Sequence, residues 1–237
     1  MLSFDAIRAR AAERKGGDAA LMRLMPKVAT PKQLAALHDD RVLAEMTRRI
    51  FCSGFAWTVI DKKWPGFEAA FLGFDPPRLL RQTPEFWDAL TTNTSIVRNG
   101  QKIMSVAANA RFVTDIAAEH GSFGRFLAGW PTTDQIGLLA LLAKSGSRLG
   151  GNTGQYLLRF LGKDGFMLSR DVVRCLRDAG LDVAEAPTSK RDLATIQQQF
   201  NTWADATKLP FTHLSRICAM SIGENYPIER LEAYMSE

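Results

Sequence analysis

Apolar residues recur along this chain at three- and four-residue steps, the period of a helix with one buried face. Residues 3–15 carry Phe4, Ile7 and Ala11 at that spacing until Gly16-Gly17 breaks it; Leu21, Leu24 and Met25 follow as a short segment stopped by Pro26. Pro31 opens a helix bearing Leu34 and Leu37, proline being suited to a first helical position. From Asp40, the steps Leu43, Met46 and Ile50 mark an amphipathic helix with Arg41, Arg48 and Arg49 on its polar face. The next stretch, FCSGFAWTVIDKKWPGFEAAF, is dense in aromatic rings. Rings at such steps belong mainly in a core, because each buries a large apolar area, with one or two left to form a stacking wall.

Asp75-Pro76 starts a further helix with Asp75 as N-cap, and Pro84 starts a short one around Phe86, Trp87 and Leu90. A turn at Asn99-Gly100 leads into a long helix with Ile103, Val106, Ala107, Ala110, Val113 and Ala117 inward, ended by Gly121. Pro131 and Thr132-Thr133 open the next, with Ile136, Leu139, Ala140 and Ala143 inward and Gly146 at its close. Val172, Val173, Leu176 and Ala179 form a helix ended by Gly180, and Ser189 with Asp192 makes a capping box for a long helix carrying Leu193, Ile196, Phe200 and Trp203. Pro210 separates it from a last helix around Leu214, Ile217 and Met220. No alternating strand pattern of useful length and no internal repeat occurs, so the fold class is all-α.

At 237 residues the chain is long enough for one large domain or two lobes. No apolar run approaches the roughly 20 residues of a membrane span, and the charged N-terminus is unlike a secretory signal. Cys52, Cys175 and Cys218 are odd in number and widely spaced, which fits reduced thiols in a cytoplasmic protein. Thirty Lys+Arg against 25 Asp+Glu gives a net charge of +5, a mild excess compatible with a polyanionic partner.

The chemistry concentrates in GSRLGGNTGQYLLRFLGKDGFMLSRD, residues 146–171. A Gly-rich turn lies between helical segments 134–145 and 153–161, and backbone NH groups at the start of the second segment are natural donors to an anion such as a nucleic-acid phosphate. A plain helix connection is the alternative. No Lys-Ser/Thr follows as in a P-loop, and no strand precedes as in a dinucleotide fingerprint. Arg148, Arg159 and Lys163 add positive charge, each also readable as part of a solvated face. Asp171, in the first turn of a helix, fits either a capping role or an exposed functional carboxylate.

The run GSRLGGNTGQYLLRF resembles the helix-hairpin-helix of the DNA glycosylase superfamily that contains endonuclease III, in which a catalytic aspartate follows the hairpin by about twenty residues. Asp171 stands at that spacing. More closely, residues 43–171 resemble the DNA-3-methyladenine glycosylase I family. LAEMTRRIFCSGFAWTVIDKKWPGFEAAFLGFDP parallels its helix, its Gly-x-x-Trp pocket segment and its F-D-P start, and SIVRNGQKIMSVAANA parallels its basic turn, GK-I and NA ending. The chain departs from that family where a pocket glutamate precedes the Trp, since Arg49 or its neighbour stands there. It also lacks most of the family's zinc set. His38-Asp39 resembles the HD pair and His213 and Cys218 lie near the end, but the N-terminal Cys is missing, and scattered ligands do not make a closed site. Neither zinc nor any other cofactor is expected.

The resemblance implies a helix-hairpin-helix glycosylase-like fold of two helical lobes with a pocket between them, an N-terminal helical extension over residues 1–35 and a glycosylase-like domain over 36–237 with its hairpin at 134–161. It implies a monofunctional DNA glycosylase of base-excision repair acting on alkylated purines such as 3-methyladenine in double-stranded DNA, as a cytoplasmic monomer. Asp171 is the catalytic candidate; Trp57, Phe51, Phe55 and Arg49 are candidates for the base pocket. Gly150, Gly151, Thr153 and Gly154 would hold one DNA phosphate, with Asn99 and Lys102 at another. The alternatives are a glycosylase-like protein that binds DNA or damage without cleaving it, and a helical interaction module whose basic balance is incidental.

Overall fold

The computed structural model describes residues 2–231, and among them every regular element is helical. Two helices open the chain, α1 (Phe4–Arg14) and α2 (Asp18–Arg23). There follow α3 (Pro31–Ala35), α4 (Asp39–Cys52), α5 (Trp57–Ala70), α6 (Pro76–Leu80), α7 (Pro84–Thr92), α8 (Gly100–His120), α9 (Phe123–Gly129), α10 (Gln135–Ser145) and α11 (Asn152–Phe160). The last are α12 (Arg170–Asp178), α13 (Lys190–Thr207) and α14 (Phe211–Ser221). The chain divides into two compact units. One holds the N-terminal residues up to Val28, residues 131–136 and the chain from Asp164 onward; the other holds residues 29–130 and 137–163.

The second of these units is built on α4 and α8. The predicted inward residues Leu43, Met46 and Ile50 share one core with Ile103, Val106, Ala110 and Val113. Phe51, Phe67, Phe71 and Phe74 are all fully buried in it. Phe51 meets Phe67 edge-on at 4.7 Å, and Trp64 stacks on Phe67 and on Phe74, each at 5.4 Å. Each such buried ring contributes about 1.5–3 kcal/mol of transfer free energy. In α10 the buried residues are Gln135, Leu138 and Leu142, while Ala140 and Ala143 are exposed. The inward face predicted from periodicity is therefore displaced. The run QIGLLALLA is apolar around most of its circumference, so its period cannot choose a face.

The other unit is assembled from both ends of the chain. Phe4, Ile7 and Ala11 of α1 pack in one core with Cys175 and Leu176 of α12 and with Leu214, Ile217 and Cys218 of α14. Phe200 of α13 stacks on Phe166 at 4.3 Å, and Trp203 lies 5.2 Å from Phe4. The Asp164 carboxylate accepts from the amides of Phe211 and Thr212 at 3.1 and 2.9 Å and so caps α14, whose N-cap position is Pro210. Gln135 exchanges two 2.7 Å bonds with the backbone of Phe166. All three thiols are buried and free.

Three lysines counted in the basic excess are buried: Lys15, Lys102 and Lys163. Each ends on oxygen atoms inside its own unit. Lys163 Nζ donates to the carbonyls of Leu127 and Trp130 at 2.8 and 2.5 Å, closing the end of α9. The surface is accordingly less basic than the composition suggests.

Candidate functional site

The Gly-rich run forms the connection between α10 and α11, as the sequence predicted. Gly151 occupies the N-cap position of α11 with φ +57° and ψ −136°, in the left-handed half of backbone space where a side chain is disfavoured. Having no side chain, it leaves the first amides of α11 without a side-chain cap. Gly150 and Gly151 are exposed, Thr153 is half-buried and Gly154 is buried. A Cβ on Gly154 would stand 2.5 Å from the Leu149 carbonyl oxygen, so α11 begins tight against its own turn. An uncapped, exposed helix start with small residues around it is suited to receive a phosphate.

The turn is held from below by Asn109 of α8, which is fully buried. Its side-chain amide donates to the Ser147 carbonyl at 3.0 Å, and its oxygen accepts from the Ser147 amide at 2.8 Å. Asn109 closes the SIVRNGQKIMSVAANA segment, but nothing in the sequence pairs it with a residue 38 positions away.

Asn99 and Lys102, the candidates for a second phosphate, are both bonded within the protein. Asn99 is the N-cap of α8, its Oδ1 accepting from the Lys102 amide at 3.0 Å. The Lys102 side chain is 7% exposed and donates to the carbonyls of Phe51 and Ser53 at 3.3 and 2.5 Å, where it closes the end of α4. Burial, and Arg148 nearby, push its pKa down. Its ammonium also lies 4.8 Å from the Phe55 ring centre. Lys102 thus fixes the path of the chain from α4 toward Phe55 and Trp57.

The base-pocket candidates separate. Phe51 is a fully buried core ring, so it is no part of an open wall. Phe55 and Trp57 are 41% and 40% exposed, at the loop before α5 and at its first residue. Trp57 has two aromatic neighbours that the sequence did not single out as pocket residues, Tyr156 and Phe160 of α11, each edge-on at 5.5 Å and each exposed. They sit four residues apart, on one face of the amphipathic α11.

Arg49 completes this cluster from α4. It is 5% exposed, and its guanidinium carbon lies 3.8 Å from the Phe160 ring centre and 4.9 Å from that of Trp57. Its Nε is 2.7 Å from Glu45 Oε1, one helical turn back, while its Nη1 is buried without a hydrogen-bond partner. Burial raises the Glu45 pKa, against the pull of Arg49 and Arg48. On the same unit, Arg41, Ala44, Glu45, Arg48, Trp64 and Phe160 line a cavity of about 260 Å³.

Asp171 lies in the first turn of α12, in the other unit. Ser169 is the N-cap there, its hydroxyl oxygen accepting from the Val172 amide at 3.3 Å. The capping alternative for Asp171 is therefore filled by a different residue, and the Asp171 carboxylate is left partly open, 36% exposed and 3.8 Å from Arg174 Nη1. Arg170, Arg174 and Arg177 follow at three- and four-residue steps along α12 and, with Val173, Glu185 and Ala186, line a groove of about 590 Å³. Arg177 is paired with Glu185 at 3.0 Å; Arg170 and Arg174 are exposed. This stripe was legible as spacing in RDVVRCLRD, yet nothing in the sequence marked it as a groove.

Of the residues near the family's zinc set, Asp39, the neighbour of His38, and His213 make bonds within the protein. Asp39 Oδ1 accepts from the Phe123 amide at 2.8 Å, and His213 Nε2 lies 3.0 Å from the Pro26 carbonyl. Cys218 is fully buried, and burial pushes its thiol pKa well up. Among the described residues no three His, Cys, Asp or Glu side chains converge.

A model of the methyladenine glycosylase family matches residues 34–143. Among solved structures, the chain is similar to 3-methyladenine DNA glycosylase I from Staphylococcus aureus, at 24% identity over 53% of this chain and 77% of that one, with a TM-score of 0.47. It is also similar to the 8-oxoguanine DNA glycosylase of Methanocaldococcus jannaschii, at 14% identity over 89% of this chain and 90% of that one, with a TM-score of 0.53. The second likeness extends over both units and shows the helical glycosylase fold. The match to the methyladenine glycosylase family model runs from α3 through most of α10.

Proposed function

We propose that the chain is a monofunctional DNA glycosylase of base-excision repair, hydrolysing the N-glycosidic bond of alkylated purines such as 3-methyladenine in double-stranded DNA, and that it acts as a monomer. The observation that carries this reading is Asp171: a carboxylate at the start of a helix, relieved of capping by Ser169 and left partly exposed, on a chain whose residues 34–143 match a model of the methyladenine glycosylase family.

The chemistry assigns each residue a task. An N-alkylated purine is cationic and leaves with the bonding electrons as the bond to the sugar carbon breaks, so little acid assistance is needed. The charge then grows on the sugar as an oxocarbenium ion. Asp171 stabilises that charge and takes the proton of the water that adds to the carbon. Trp57 and Phe55 offer exposed ring faces to a base swung out of the stack. Hairpin amides after Gly151 hold a DNA phosphate, and Arg170 and Arg174 add sequence-independent contacts. The turn after Leu149 and the start of α11 carry Thr153, Gln155 and Tyr156 but no lysine. Without an amine there to attack the sugar, no Schiff-base lyase step follows.

One observation favours a second reading. Arg49 lies against Trp57 and Phe160, where a stacked base would lie, and a guanidinium repels a cationic base. In that reading the protein binds DNA or damage without cleaving it. Incubation of the full chain with methylated duplex DNA separates the two. Release of free methylated base supports the glycosylase; saturable binding of the lesion with no release supports the second reading.

A further inference from the structure

We propose that the segment Ile222–Tyr226 holds the Asp171 carboxylate in position and is itself held by the N-terminal helix. The proposal rests on the reading of Asp171 as the reacting carboxylate. Gly223 has φ +74°, and a Cβ built on it would stand 2.5 Å from Asp171 Oδ1, 2.8 Å from Cγ and 3.0 Å from Oδ2. The carboxylate therefore occupies the space a Cβ would need, and any side chain at residue 223 would displace it. No other residue type gives the backbone both this conformation and this approach.

The segment is pinned by α1 and the residue after it. Arg14 donates from Nη2 to the Gly223 carbonyl at 2.7 Å and from Nε to the Met220 carbonyl at 2.9 Å. Lys15, 4% exposed, donates to Asn225 Oδ1 at 2.6 Å and to the Tyr226 carbonyl at 2.7 Å. Asn225 Nδ2 returns a bond to the Arg14 carbonyl at 3.1 Å. Burying the Lys15 ammonium costs free energy, visible in its lowered pKa, and the buried charge is used to fix two oxygens of this segment. Arg14, Lys15 and Gly223 thus form a connected series of contacts that ends on the carboxylate. A carboxylate that must meet a short-lived positive charge gains from being aimed beforehand, since a small misplacement lowers the rate without changing how DNA is gripped. All of these residues lie outside 34–143, so the device is additional to the family region. Arg14, Lys15 and Gly223 are positioning residues.

Single-turnover base release and duplex binding are measured for wild type, Gly223→Ala, Arg14→Met, Lys15→Met and Asp171→Asn. Gly73→Ala serves as control, since Gly73 has φ +70° with nothing within 4 Å of its Cβ position. Gly223→Ala is expected to slow release about tenfold or more, the scale set by misorientation, with Kd for the lesion duplex unchanged and the acid limb of the rate–pH profile displaced. Arg14→Met and Lys15→Met shift the rate in the same direction, and Gly73→Ala leaves it alone. Should Gly223→Ala fail to fold, the two α1-side variants decide. Wild-type rates and pH profiles in all the positioning variants, with Asp171→Asn inactive, would overturn the proposal and leave the Asp171 reading standing. Undiminished release by Asp171→Asn would overturn that reading, and this proposal with it.

Discussion

Glu45 reaches Arg49 from one turn back on α4, in a setting where burial raises its pKa. Between 4.5 and that higher value the folded state holds a proton that the unfolded state has released. Stability conferred by Glu45 is then present below 4.5 and falls as pH rises through the folded pKa. Glu45→Gln removes this decline, and urea midpoints across the window will show a flatter profile than wild type; an unchanged profile would assign the slope elsewhere. At this scale residue type was legible from the sequence, while burial was not. Asn99 and Lys102 flank a turn beside a basic segment, and that placement alone suggests a phosphate contact. In the folded chain Lys102 binds the carbonyls of Phe51 and Ser53, and Asn99 binds the Lys102 amide. A charge count cannot distinguish a lysine in water from one closing a helix from inside. Arg49 is a similar case: the helical period puts it on the polar face with Arg41 and Arg48, and in the folded chain it is buried against Trp57.

The helix starts and stops announce themselves through proline, glycine and cap residues, as at Asp75, Asn99 and Ser189. What holds the helices to one another does not. The hairpin turn is visible as LGGNTG, while its anchor Asn109 lies on another helix and offers no local signal. Replacing Asn109 by alanine leaves the Ser147 amide and carbonyl without partners, at a cost of about 1–3 kcal/mol. Duplex affinity should fall with it, because the turn that presents the α11 amides loosens; thermal melts and fluorescence anisotropy measure the two effects. On α12, Arg170→Ala with Arg174→Ala should flatten the plot of log affinity against log salt, by about 0.9 for every phosphate that these two arginines neutralise. An unchanged slope would remove α12 from the DNA footprint.

At the scale of the whole molecule, the joining of the first 28 residues to the chain beyond Asp164 in one unit has no counterpart in the hydrophobic pattern. That assembly depends on hydrogen bonds such as the one from Arg14 to Gly223, 209 positions apart, which no periodicity reveals. The family match covers residues 34–143 and stops short of Asp171, whose proposed role stands on its distance from the hairpin and on its setting at the start of α12. The most direct test of the account is therefore release of 3-methyladenine from methylated duplex DNA under single-turnover conditions by wild type and Asp171→Asn, with binding measured in parallel. The account predicts that the variant binds the duplex as wild type does and falls about a hundredfold or more in rate, the scale of a group acting on charge and proton together. Equal rates for the two proteins would contradict it.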